Sequence, residues 1–266
     1  MAGGAVTRGA VGGWLSELGR VVVPVACAGC GALDIVLCER CRAALDPPMV
    51  RCETDAPRLD RLDGVPLLPV WACAPYTDTV RETVLAWKDH GRADLTSAVR
   101  GALAQGVPDL APSFAAAARA AGVPGLRVSE LLVVGAPSSR AAVRRRGSDL
   151  VAGLAQECAA ALASHGVPAR AARVLEQRRG VRDQVGLGAR ARGRNLTGRV
   201  RIRSGVRLGG VCAVVVDDVL TTGATLAGAV DALEGAGARV LAGLVLAATP
   251  SPARRSPDIP EATRAK

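Results

Sequence analysis

The stretch VVVDDVLTTGATL, Val214 to Leu226, is an apolar run that meets two adjacent carboxylates, Asp217 and Asp218, and then a threonine-glycine turn. In an open parallel sheet, ligands gather beyond the carboxyl ends of the strands, where loops lead into helices. There the backbone N–H groups of Thr221, Thr222, Gly223, Ala224 and Thr225 would face outward at a helix N-terminus, whose unpaired donors and dipole favour a phosphate. Gly223 lets a ligand approach the backbone closely, and the hydroxyls of Thr221, Thr222 and Thr225 add donors. Two carboxylates beside a phosphate repel it unless sugar hydroxyls or a hydrated Mg²⁺ engage them. Together these parts describe a ribose-5-phosphate clamp, with Asp217 and Asp218 on the 2- and 3-hydroxyls. The bland alternative is an Asp-Asp capping pair with no ligand.

A second group of reactive side chains lies near the N-terminus, in CAGCGALDIVLCERC. Cys27, Cys30, Cys38 and Cys41 form two CxxC knuckles separated by a short loop, a spacing that brings four thiolates around Zn²⁺. Four sulfurs leave no open position on the metal, so the expected site is structural. Cys158 and Cys212 fall on apolar faces and read as small core residues. Cys52 and Cys73 have no partner at CxxC spacing.

Helices and strands must position these groups. TVRETVLAWKD (Thr79 to Asp89) places Val80, Val84 and Trp87 at helical spacing, and an alanine-rich helix is expected from Asp94 to Ala104. LLVVGAP (Leu131 to Pro137) reads as a buried strand. Val143, Leu150, Val151, Leu154, Cys158 and Leu162 predict one long helix after it. Another strand is expected near Ala172 to Leu175. Val211 to Val216 and Val240 to Ala248 read as strands flanking a helix whose inner face carries Leu226, Ala229, Val230 and Leu233. Apolar runs alternating with helices predict an α/β fold, a parallel sheet covered on both faces. The expected organisation is a leader over 1–25, a zinc-ribbon-like element over 26–50, a connector with a degenerate second element over 51–75, the main domain over 76–248, and a disordered tail over 249–266.

The chain has 266 residues and 49% hydrophobic composition, enough for a packed core. No apolar run approaches the ~20 residues of a membrane span, and Arg8, Glu17 and Arg20 interrupt the N-terminal segment. A cytoplasmic protein is expected. The formal charge of +10 is concentrated between Arg170 and Arg207, where twelve arginines face two acids, Glu176 and Asp183. Such a block suits a polyanion, a phosphorylated small molecule or simply solvent. There is no G-x-x-x-x-G-K-[ST], and no G-x-G-x-x-G follows the first strand, which argues against an ordinary P-loop ATPase or dinucleotide enzyme.

The Val214 to Leu226 stretch resembles the phosphoribosyl pyrophosphate (PRPP) loop of type I phosphoribosyltransferases: hydrophobics, two acids, then T-T-G-x-T. Three further blocks occur in order: Tyr76 with WKDHG, containing Lys88 and Gly91; VVGAPSSRAAVRRRG, Val133 to Gly147; and DQVGLGARARGRN, Asp183 to Asn195. With the cysteine knuckles, they resemble the ComF family, competence-associated proteins that join a zinc element to a phosphoribosyltransferase-like domain. The resemblance covers roughly residues 25–248. It implies a type I phosphoribosyltransferase-like fold, Mg²⁺ bound with PRPP, and a link to DNA uptake. It also implies that Ser138, Ser139 and Arg140 contact pyrophosphate and that Gln184, Arg192 and Asn195 belong to a closing lid. Lys88 stands out because arginine replaces every other lysine but Lys266; it is either a compact point charge needed at the pyrophosphate or a surface residue. Ser148, Asp149 and Leu150 depart from the family's aromatic, Asn and Gln.

Two functions follow as alternatives. The first is transfer of a phosphoribosyl group to an acceptor the sequence does not name, with Asp217 and Asp218 at the reacting ribose. The second is a non-catalytic PRPP sensor or single-stranded-DNA-handling protein, although five aromatic residues provide few stacking platforms. A zinc-dependent adaptor would leave the Asp-Asp motif unexplained. Competence-machinery proteins and a second copy of the chain are the remaining candidate partners.

Overall fold

A computed structural model describes residues 25–46, 48–60, 65–121, 130–178 and 200–251. The strands in chain order are β1 (Val50–Arg51), β2 (Val70–Pro75), β3 (Leu131–Gly135), β4 (Ala169–Ala172), β5 (Leu175–Gln177), β6 (Val200–Ile202), β7 (Cys212–Leu220) and β8 (Arg239–Ala248). Six of them form one sheet in the order β1-β2-β8-β7-β3-β4, parallel throughout except for β1. β5 and β6 make a separate antiparallel pair. The helices are α1 (Glu39–Ala43), α2 (Asp78–Lys88), α3 (Thr96–Ala120), α4 (Arg140–Arg146), α5 (Leu150–Ser164) and α6 (Ala224–Gly235). Among the described residues, no helix is long and apolar enough to cross a membrane.

Strand alternation divides the core in two. Val214 and Val216 of β7 join one cluster with Val84 of α2, Leu103 of α3 and Leu154 of α5. Ala213 and Val215 point the other way, onto Leu226, Val230 and Leu233 of α6 and onto Ala56 and Leu59. The valines at 214, 215 and 216 are fully buried, each worth ~1.5–3 kcal/mol relative to exposure. The sheet is therefore covered on both faces, as its apolar runs require.

Several elements differ from the sequence expectations. The long helix expected across Val143 to Leu162 is two, because Gly147 takes a left-handed turn (φ 71°) and Asp149 caps α5 through the Ala152 N–H. The helix expected to end at Ala104 continues to Ala120 through Pro108 and Pro112. Its buried face, Val99, Leu103, Val107, Ala111, Phe114 and Ala118, keeps helical spacing across both prolines. The strand expected near Ala172 to Leu175 is instead the point where β4 ends and β5 begins. β7 runs on to Leu220, so Asp217 and Asp218 lie within the strand, and Asp217 pairs with Val245. β2, inside the segment read as a connector, pairs in parallel with β8.

Candidate functional site

The carboxylates sit in the C-terminal half of β7, which lies between β8 and β3. Both are buried, and each accepts a hydrogen bond from the next backbone N–H: Asp218 N–H to Asp217 Oδ1 at 2.9 Å, Val219 N–H to Asp218 Oδ1 at 2.8 Å. Burial, and then the charge of Asp218, push the Asp217 carboxyl up to about 8. Asp218 is held by an ion pair, with Lys88 Nζ 2.6 Å from its Oδ2. Lys88 is the last residue of α2. Burial lowers its ammonium, but the Asp218 carboxylate outweighs that and holds it above the ordinary lysine value. Tyr76, directly after β2, is tied to the same sheet end by its N–H to the Ala248 carbonyl at 2.7 Å.

After Leu220 the chain turns over Thr221 and Thr222, both exposed, into Gly223, which is buried at φ 80° and precedes the first turn of α6. Thr225 is exposed in that turn. The turn thus offers a left-handed glycine, a helix N-terminus and exposed threonines, the parts expected of a phosphate cradle.

The cradle also has an outer wall that motif reading misses. Arg58 N–H donates to the Thr222 carbonyl at 3.0 Å. A Cβ on Gly223 would stand 2.7 Å from Leu59 Cγ and 3.2 Å from Ala56 Cβ. Ala56 and Leu59 are both fully buried. Glu53, also buried, anchors this strap at the sheet edge by accepting the Val70 N–H at 3.0 Å and pairing with Arg51. Nothing in the local sequence marks a contact between positions so far apart.

The loop after β3 enters a cavity of about 300 Å³ lined by Pro137, Ser138, Arg140, Asp149, Glu176 and Gln177, among others. The start of this loop is tied to β7, where Ala136 N–H donates to the Val216 carbonyl at 2.7 Å. Ser138 Oγ donates to Asp149 Oδ1 at 3.0 Å, and Ser139 Oγ caps α4 by accepting the Ala142 N–H. Arg140 contacts Glu176 at 3.4 Å with its side chain half exposed. Asp149 is thus a hub that also pairs with Arg173 at 2.9 Å. Part of the arginine block is neutralised in the same way, by Arg170 with Glu130 and Arg201 with Glu176. Gln184, Arg192 and Asn195 lie outside the described residues.

The structure brings the four cysteines together: the Sγ atoms of Cys27, Cys30, Cys38 and Cys41 lie within 4.8 Å of one another. Tetrahedral Zn²⁺ with Zn–S bonds of about 2.3 Å needs sulfurs about 3.8 Å apart, and Cys30 and Cys38 are at 3.7 Å. Burial pushes the Cys27 thiol up, but N–H donors from Cys38, Cys30 and Gly29 bring it down to about 6, whereas burial and the three neighbouring sulfurs push Cys41 up to about 12. These residues fit a structural zinc. The cluster is fastened to α2: a Cβ on Gly29 would stand 2.9 Å from Thr83 Oγ1, and Arg92 Nη1 donates to the Ala26 carbonyl at 3.0 Å. Cys52 and Cys73 are buried apart from this cluster, with their Sγ atoms toward the Val70 and Ala102 carbonyls.

No family model matches the chain, and no curated protein does. Among solved structures, it is similar to a hypoxanthine phosphoribosyltransferase from Staphylococcus aureus, at 16% identity and a TM-score of 0.28, over 58% of this chain and 68% of that one.

Proposed function

We propose that this chain is a ComF-like phosphoribosyltransferase that binds PRPP with Mg²⁺ and transfers its phosphoribosyl group to an acceptor. One observation carries the proposal: two buried carboxylates at a central strand end lead, within five residues, into a left-handed glycine and a helix N-terminus. A lone phosphate needs only the second half of that arrangement, and a lone sugar only the first. A ribose 5-phosphate uses both.

In this function the Asp217 and Asp218 carboxyls accept the ribose hydroxyls, and the N–H groups and hydroxyls of Thr221 to Thr225 hold the 5-phosphate. Loss of pyrophosphate from C1 leaves positive charge on the ribose, which a fixed carboxylate stabilises without reorganising. Mg²⁺ bound together with PRPP would supply positive charge for the diphosphate leaving group. Arg140, half exposed and loosely held by Glu176, can turn to the diphosphate; Ser138 and Ser139 must first give up the bonds they make to Asp149 and α4.

Calorimetric titration of PRPP with Mg²⁺ tests the proposal. The intact chain should bind, and the chain carrying Asp217→Asn and Asp218→Asn should lose at least tenfold in affinity, about 1.4 kcal/mol. Equal binding by both proteins would place the ligand elsewhere, and no binding by the intact chain would end the enzymatic reading.

A further inference from the structure

Lys88 is the one lysine among the described residues of a chain whose other cationic side chains are, Lys266 apart, arginines. It is not on the surface: its side chain is 32% exposed, and its ammonium ends on an Asp218 side chain that is only 7% exposed. One oxygen of each aspartate is bonded to backbone N–H, and Asp218 Oδ2 goes to Lys88. Two neighbouring carboxylates at a strand end would ordinarily attract a divalent cation from solution. Here the position beside Asp218 is filled by a cation built into the fold. A compact ammonium suits that place, because a guanidinium is planar and needs room for its fork.

The lysine is also held firmly from behind. Trp87, buried beside it on α2, donates its indole N–H to Thr96 Oγ1 at 3.2 Å. The first cysteine knuckle rests on Thr79 and Thr83 of the same helix. The ammonium is thus delivered by a packed helix rather than a free surface chain, which lowers the entropy of keeping the ion pair.

We propose that Lys88 is a tethered counter-ion: a positioning residue that keeps Asp218 oriented and keeps free divalent metal off the carboxylate pair, so that metal arrives only with the phosphorylated ligand. The identity of that ligand rests on the function proposed above; the exclusion of free metal does not. This role differs from a pyrophosphate contact, because it acts before any ligand binds.

Mn²⁺ alone is the probe, followed by water-proton relaxation on the full chain. The wild type should show no site among the carboxylates. Lys88→Gln keeps most of the stem but removes the charge, and should gain a Mn²⁺ site at least about tenfold tighter than any wild-type binding, a change of ~1.4 kcal/mol. That site should vanish when Asp218→Asn is added. A folded Lys88→Gln chain with no gained site overturns the proposal. The unmodified protein supplies an independent check: with lysine side chains labelled, Mn²⁺ alone should leave the Lys88 resonance sharp, and broadening overturns the proposal. Should the wild type ignore PRPP while Lys88→Gln gains Mn²⁺, the counter-ion role stands and the transferase reading falls.

Discussion

Gly223 is where the cradle and its outer wall meet, and replacing it with alanine separates two costs. The first is conformational: at φ 80° an L-residue loses about 1–2 kcal/mol relative to glycine. The second is steric, because the new Cβ would stand 2.7 Å from Leu59 Cγ, 3.2 Å from Ala56 Cβ and 3.3 Å from Leu59 Cδ2. Leu59 is fully buried and cannot swing into solvent, so overpacking adds about 1–3 kcal/mol. Gly223→Ala should therefore destabilise the zinc-loaded protein by about 2–5 kcal/mol, read from the shift in urea midpoint at constant slope. Leu59→Ala alone should cost ~2–5 kcal/mol through its cavity. In that background the Leu59 clash is gone and only the 3.2 Å approach to Ala56 Cβ remains, so Gly223→Ala should cost little beyond the conformational share, and the cycle should show coupling of about 1–3 kcal/mol. Equal cost of Gly223→Ala in both backgrounds would refute the strap's contact with the cradle.

Asp217 makes stability depend on pH. Its folded pKa of about 8 lies above the unfolded carboxyl value near 3.8, so its stabilising contribution is complete at low pH and is lost as pH rises toward 8. Asp217→Asn should flatten that decline and be more stable than wild type at pH 8; an unchanged slope in thermal melts between pH 5 and 8 would contradict the burial argument. Removing metal from the cysteine cluster should loosen α2. Chelation should lower the unfolding midpoint by roughly 10 °C, the shift about 3–4 kcal/mol produces in a chain of this size, and red-shift the emission of buried Trp87. Asp149→Ala removes a helix cap worth about 1 kcal/mol and the partner of Arg173 and Ser138, so a loss of about 1–2 kcal/mol is expected.

What could be read from the sequence was what lies close together in it. The carboxylates, the threonine turn and the start of the helix behind them fall within thirteen consecutive residues, so their order along strand, turn and helix follows from periodicity alone. The cysteine cluster was equally legible, because CxxC spacing fixes the geometry of each knuckle. Lys88 was noticed for its rarity, but its partner lies 130 residues away and no local pattern connects them. The strap was hidden for the same reason: Ala56 and Leu59 are ordinary apolar residues until Gly223 is placed against them. The helix break at Gly147 was concealed by an apolar period that continues across it, even though glycine followed by Ser148 and Asp149 carries the stop and cap signals. The extent of α3 was missed because Gly106 and Pro108 mark a stop that the buried face overrides.

The central claim is that one ligand joins the carboxylates to the cradle. A crystal structure of the protein with PRPP and Mg²⁺ tests it most directly. The 5-phosphate should lie on the N–H groups of the Thr221 to Thr225 turn, with the 2- and 3-hydroxyls on Asp217 and Asp218. A diphosphate in the cradle with the ribose turned away from both aspartates, or PRPP bound in neither place, would contradict the account.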